Sequence, residues 1–289
     1  MSTLARPAAP APALTAEQQR ALRDDGFVIL RGIVPRERLA AVLRRFAAVG
    51  DRMVETLRRD GAPVDDHPDA PDERRLALAT ARCRKEFARF GRGWRREVVG
   101  QEVFALQTAP PLVDAVAGML GEEVYGHIVL NARPKLPDQR LTTVPWHQDS
   151  AYFGPQYVGQ RIVTAWVPLV DVDERNGCMQ VALGSHRYGN VAHHVEDAEG
   201  GFLEITGGDP RADVTVTCAM APGDVLLFEQ LLWHRSLPNV GDGVRWSVDL
   251  RYYGAGFDAR ESLPRPWTIR HPTLPPVAFE EWIGWRERF

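Results

Sequence analysis

Cysteine is scarce in this chain, and its placement excludes two architectures. Cys83, Cys178 and Cys218 are odd in number and widely separated, which suits neither a disulfide framework nor a zinc knuckle and fits a reducing cytosol. No apolar run approaches the roughly 18 residues that a membrane span requires. Residues 1–14, rich in Ala and Pro, lack the apolar core of a secretory signal. Basic residues form no block either. The 35 Lys and Arg are interleaved with 38 Asp and Glu, for a net charge of −3, so there is no electrostatic footprint for nucleic acid. No internal repeat is evident. These absences leave a cytoplasmic globular protein that handles neither nucleic acid nor membrane. Residues 1–14 read as a disordered tail and 15–289 as a single domain. Nothing in the sequence sets the oligomeric state.

The first part of the chain reads as helical. Thr15 with Gln18 has the pattern of a capping box, opening a short helix that ends near Gly26. Residues 27–30 suit a short buried strand. Pro35 is placed for the first turn of a helix, and Leu39, Val42, Leu43 and Phe46 follow at helical spacing. Residues 61–72 read as a surface loop. A third helix is expected over 73–90, with Leu76, Ala79, Cys83 and Phe87 on one stripe. Pro110 and Pro111 open another, closed by Gly121. From residue 124 onwards short strands alternate with turn signals. They are expected at 124–130, 161–167, 178–183, 202–206, 214–218, 225–228 and 245–253. This pattern predicts a mainly β sandwich or barrel with the helices buttressing one face. The segment carrying Trp267, Trp282 and Trp285 is expected to wrap back onto the body.

The chemistry concentrates in Val144-Pro145-Trp146-His147-Gln148-Asp149-Ser150 and in His234 far downstream. In an extended strand residues two apart face the same way, so His147 and Asp149 would aim an imidazole and a carboxylate at one point. With His234 they would complete the two-histidine, one-carboxylate face that holds non-haem Fe(II) with open positions. A lone His-x-Asp recurs by chance in many chains, so the weight lies in the context. Trp166-Val167-Pro168-Leu169, Asn176-Gly177-Cys178 and Gly184-Ser185-His186 lie between the two histidines, and Arg245 follows. Arg245, Ser247, Asp249 and Arg251 share one face of their strand, and Trp246, Val248, Leu250 and Tyr252 the other. On an ordinary strand the polar face would meet solvent. The metal triad turns it inward.

Together these residues resemble the phytanoyl-CoA dioxygenase family of Fe(II)- and 2-oxoglutarate-dependent oxygenases, over about residues 18–253. The resemblance implies a double-stranded β-helix, a cupin-like jelly roll buttressed by the N-terminal helices. It puts iron on His147, Asp149 and His234. It puts the far carboxylate of 2-oxoglutarate on Arg245, with help from Ser236, and the cosubstrate's other bonds on Asn131 and Thr164. A buried carboxylate without a partner is costly, and a guanidinium offers a permanent, forked charge. His127 shares the Asn131 face, where it either touches the cosubstrate or is a hydrogen-bonded core histidine. Tyr152, Phe153 and Gln156, with Arg133 and Arg140, are expected in a loop over the metal that selects substrate; the alternative is an ordinary surface loop. Arg251 is either a structural partner of Asp249 or a substrate anchor. His186 reads as ordering its loop, and His193 with His194 as part of a solvated loop.

The activity implied is hydroxylation of an unactivated C–H bond of a small molecule by O2, releasing succinate and CO2. Halogenases on this scaffold carry Gly or Ala where Asp149 stands, which favours oxygenation. A catalytically inactive 2-oxoglutarate-binding barrel would have lost a triad member or Arg245, and neither is lost. A cupin-like metal-dependent isomerase would have no need of Arg245. No basic cluster suits a CoA pyrophosphate. The Ala-, Arg- and Pro-rich composition associates the chain with secondary metabolism.

Overall fold

The computed structural model describes residues 14–90, 93–127, 130–138, 142–153, 159–195, 201–256 and 267–284. The tail expected at 1–14 falls outside this set except for Leu14, which is buried in the main core. Helices come first: α1 (Ala16–Asp24), α2 (Arg36–Arg59), α3 (Asp72–Ala79), α4 (Arg84–Ala88), α5 (Gly93–Val98), α6 (Gln101–Gln107) and α7 (Pro110–Leu120). A short α8 (Phe279–Gly284) lies near the other end. The strands are β1 (Phe27–Leu30), β2 (Val124–Gly126), β3 (Asn131–Lys135), β4 (Ile162–Pro168), β5 (Met179–Ala182) and β6 (His193–Val195). They continue with β7 (Leu203–Ile205), β8 (Thr215–Cys218), β9 (Val225–Glu229), β10 (His234–Ser236), β11 (Arg245–Tyr253) and β12 (Trp267–Arg270).

Local chemistry accounts for the helices. The Thr15 hydroxyl accepts from the Gln18 N–H at 3.2 Å, and the Gln18 side chain accepts from the Thr15 N–H at 2.8 Å, a reciprocal cap on α1. On α2, Leu39, Val42, Phe46, Val49, Met53 and Leu57 are all buried, a single stripe at helical spacing. The helix expected over 73–90 is broken in two. Thr80 ends α3 by donating its hydroxyl to the Leu76 carbonyl at 2.7 Å, a side-chain bond that competes with continued helix, and the chain restarts only after Cys83.

The large sheet has the order β1-β9-β4-β11-β2-β12, with β3 also on β11, and every pairing is antiparallel. A smaller sheet runs β10-β5-β8, and β6 pairs with β7. Among the described residues the sheets pair separately and do not close into a continuous barrel. Of the expected 124–130 strand, β2 covers Val124–Gly126 and residues 128 and 129 lie outside the described residues; β2 and β3 pair in succession with the same strand, β11. Strands β3, β6, β10 and β12 were not expected.

Alternation along the large sheet divides the core. Val163, Ala165 and Val167 of β4, Val225 and Leu227 of β9, and Trp246, Val248 and Leu250 of β11 pack against the helices. Trp166, Leu226 and Phe228 point the other way, onto Val181, Cys218 and Met220. The functional face of β11 therefore lies on the side opposite the helices. Trp267 and Trp282 pack back onto the body with rings 6.0 Å apart, as expected; Trp285 lies outside the described residues. Phe46 is wholly buried against Trp94 and Trp246, at ring distances of 6.4 and 5.9 Å. Phe46→Ala is expected to cost about 3–5 kcal/mol of stability. Urea unfolding should show it as a lower midpoint at unchanged slope.

Candidate active site

His147 and His234 are joined through their backbones. Each donates its N–H to the other's carbonyl at 3.0 Å, the closely bonded type of antiparallel pair, and the rings stand 4.1 Å apart. Each Nδ1 lies 2.9 Å from the carbonyl two residues earlier, of Pro145 and Leu232 respectively. A carbonyl only accepts, so Nδ1 carries the proton and Nε2 keeps its lone pair on both rings. Asp149 reaches them differently from the strand expectation. Gln148 donates to the Gly189 and Leu231 carbonyls at 2.8 and 2.7 Å and accepts from the Val191 N–H at 3.0 Å. Thus anchored, the chain turns into a short 3-10 helix, Asp149–Tyr152. A turn, and not strand alternation, brings the carboxylate in. The potential ligand atoms of His147, Asp149 and His234 all lie within 4.8 Å of one another, and all three residues are buried.

Two donors hold the carboxylate. Arg251 donates from Nη2 to Oδ1 at 2.6 Å and from Nε to Oδ2 at 3.1 Å, and the Thr164 hydroxyl donates to Oδ2 at 2.5 Å. Thr164 and Arg251 stand opposite each other on β4 and β11, so both side chains rise on the same face. This adds to two expectations. Thr164, expected at the cosubstrate, engages Asp149 here. Arg251 has Asp149 as its close partner, with Asp249 at 3.9 Å, because the turn after Gln148 delivers a nearer carboxylate than the neighbour along the strand. Burial alone would raise the Asp149 carboxyl, but Arg251 and His234 outweigh it and hold it well below the usual carboxylate range. Burial pushes the His147 imidazole down to about 3, with His234 adding to it, and His234 is lowered by burial too. Two neutral imidazoles and one ionised carboxylate on a single side are the donor set that non-haem iron takes.

Towards the other end of β11 from Arg251, Arg245 is buried with its guanidinium 5.5 Å from the Trp166 ring centre and one N–H donated to Ser247. The Ser236 hydroxyl accepts from the Val144 N–H at 3.1 Å and from Lys135 Nζ at 2.8 Å. Lys135, wholly buried and opposite Arg245 in register, was missed by sequence reasoning. Burial and then the charge of Arg245 lower its pKa to about 6. Asn131 stands opposite Asp249 on the same strand pair. Arg133 lies within β3, opposite Ser247, and not in a loop; the alternating pairing with β11 extends through it. Arg140 and Gln156 lie outside the described residues.

Tyr152 lies against the triad and Phe153 against Arg251. The Tyr152 ring meets His147 edge-on at 5.6 Å, and its hydroxyl accepts from the Leu203 N–H at 2.9 Å. Phe153 lies 5.1 Å from the His127 ring and 5.8 Å from the Arg251 guanidinium carbon. His127 is buried between Phe153 and Tyr253, its pKa pushed down to about 3 by burial and by Arg251. His186 faces the Arg23 carbonyl at 3.1 Å, tying its loop to α1. His193 and His194 are not in a loop but on β6. His193 Nε2 accepts the Gln148 N–H at 3.1 Å, which adds to the anchoring of the residue between His147 and Asp149.

The sequence profile of the phytanoyl-CoA dioxygenase (PhyH) family matches residues 22–247. The chain is 32% identical over 154 residues to the 1-deoxypentalenic acid 11-beta-hydroxylase of Streptomyces arenae, covering 50% of this chain and 53% of that protein. That match therefore spans about half the relative's length. The peroxisomal phytanoyl-CoA dioxygenase of Homo sapiens is 24% identical over 250 residues, covering 84% and 69%. Among solved structures, the apo form of the non-heme monooxygenase ThoJ superposes with a TM-score of 0.60 at 20% identity, covering 93% and 91%. EvdO2 from Micromonospora carbonacea complexed with 2-oxoglutarate gives 0.55 at 18%, covering 93% and 97%. At these identities the structural likeness concerns the fold.

Proposed function

The chain belongs to the phytanoyl-CoA dioxygenase family of Fe(II)- and 2-oxoglutarate-dependent oxygenases, and from that premise we propose that it hydroxylates an unactivated C–H bond of a small molecule in secondary metabolism. The observation that carries this reading is the buried His147–Asp149–His234 face with both Nε2 atoms free for a metal. When bound, iron with 2-oxoglutarate supplies oxidation by O2, decarboxylating the cosubstrate to succinate and CO2 as one oxygen atom enters the substrate. His147, Asp149 and His234 would hold the iron. Arg251 and Thr164 orient Asp149 so that Oδ1, 3.9 Å from His234 Nε2, faces the imidazoles. Arg245 and Ser236 would hold the far carboxylate of the cosubstrate inside the fold, and Asn131, four residues further along the same strand pair, would bond another part of it. Tyr152, Phe153 and His127 form an aromatic mouth for the substrate. The name of the Streptomyces arenae relative supports a hydroxylase. No single helix among the described residues is long and apolar enough to cross a membrane, and the cysteines are buried free thiols, which supports a cytoplasmic setting.

Mixing protein, Fe(II), 2-oxoglutarate and O2 tests the reading through succinate release, which small-molecule substrates should accelerate. Iron-dependent change in a substrate without succinate would support an isomerase instead. A chelator should abolish succinate formation, with recovery on adding Fe(II) and none on adding Mg²⁺. The imidazole nitrogens suit iron, and magnesium prefers an all-oxygen shell.

A further inference from the structure

We propose that Lys135 is a further cosubstrate-binding residue, forming with Arg245 and Ser236 one pocket for the far carboxylate of 2-oxoglutarate. The inference rests on the reading of Arg245 and Ser236 given above. Lys135 and Arg245 are direct partners across β3 and β11, so their side chains leave the sheet on the same face and lie side by side. The lysine ammonium then reaches the hydroxyl of Ser236 at 2.8 Å and the Leu237 carbonyl. It thus bridges the two residues assigned to that carboxylate.

The chain makes room for it deliberately. At Gly177 a Cβ would lie 2.8 Å from Lys135 Cδ and 2.5 Å from the Leu237 carbonyl oxygen, and the backbone there has φ +87. Only glycine accepts both conditions without strain. The groups facing the ammonium are Arg245 from β11, the Cys178 thiol before β5, the Ser236 hydroxyl of β10 and the Leu237 carbonyl. Asn239 meets the lysine's backbone carbonyl only, and α5, packed on β3, buries Trp94 and Val98. Among the described residues no carboxylate pairs with Lys135. A fully buried ammonium without a carboxylate partner is unfavourable, and an anion beside it would make it favourable. An amine of this kind has three donors when protonated, and the protein's own acceptors use two.

Burial and the charge of Arg245 lower the Lys135 pKa to about 6. An arriving carboxylate favours the charged form, so cosubstrate binding should draw in a proton. The test is calorimetric titration of 2-oxoglutarate into the Fe(II)-loaded protein under nitrogen, at about pH 7.5, in buffers of different ionisation enthalpy. The wild type should take up close to one proton per cosubstrate. Lys135→Met should lose that uptake and bind about ten- to a hundredfold more weakly, with unchanged iron content. Lys135→Gln keeps a donor for Ser236 but takes no proton, so it gives the same readout should the Met variant fold poorly. Uptake and affinity equal to wild type in the folded variant, or no uptake in the wild type, would overturn the proposal. Arg245→Leu run alongside separates the two levels: weakening there but not at Lys135 rejects the lysine alone, and no weakening at either rejects the pocket itself.

Discussion

Asp149→Ala is expected to remove iron and turnover together, and to lower stability as well. The residue is the one carboxylate of the three-residue cluster, so without it a divalent ion meets two neutral imidazoles beside the Arg251 guanidinium. Losing a partner that merely orients a ligand costs about 10–100-fold in affinity or activity, and losing the ligand itself should exceed that. The stability loss has a separate origin. Arg251 is buried and makes its close ion pair with Asp149, and removing one member of a buried pair costs about 3–5 kcal/mol. His147→Ala and His234→Ala should lose iron to a similar degree while leaving the Arg251 pair in place, so their melting should shift less. Bound iron per chain, succinate formation and thermal unfolding, measured on the three variants, give the comparison. Full turnover in all three with iron supplied would end the triad assignment.

How much of this arrangement the sequence disclosed depended on the range of the interactions. The alternating face of β11 was legible because nine consecutive residues display the period, and the α1 cap because it is local chemistry. His147 and Asp149 were correctly expected to meet, but for the wrong local reason. Their meeting depends on Gln148 bonding to Gly189, Leu231 and Val191, partners no local pattern reveals. Strand β10 is too short to show a period. Strand β3 contains Pro134, which opposes a strand reading in sequence, and with β3 unseen Lys135 had no assigned face. The nearer partner of Arg251 was missed for a similar reason. Asp249 is the neighbour along the strand, whereas Asp149 arrives from a turn that only the tertiary fold positions.

Arg245→Leu is expected to weaken 2-oxoglutarate while sparing iron. With Arg245 gone, the far carboxylate of the cosubstrate would lose its forked, permanently charged partner inside the fold, at a cost of about 3–5 kcal/mol. At about 1.4 kcal/mol per tenfold, that is roughly a hundred- to several-thousandfold in affinity. Arg245→Lys keeps a charge but loses the fork, so it should recover part of the loss. Iron affinity should hardly move, because Arg245 lies outside the His147–Asp149–His234 cluster. Titrating both ligands against one variant separates the two effects, and unchanged cosubstrate affinity would return Arg245 to a purely structural role. Lys135 sets where in that range the result falls. Arg245 is, after burial, the next cause of its lowered pKa, so deleting the arginine lets the lysine charge more readily and restore some of the missing attraction. The single variant should therefore sit towards the lower end of the range near neutral pH and bind less well as the pH rises. The double variant with Lys135→Met should lose more than Arg245→Leu alone and show less of that pH dependence.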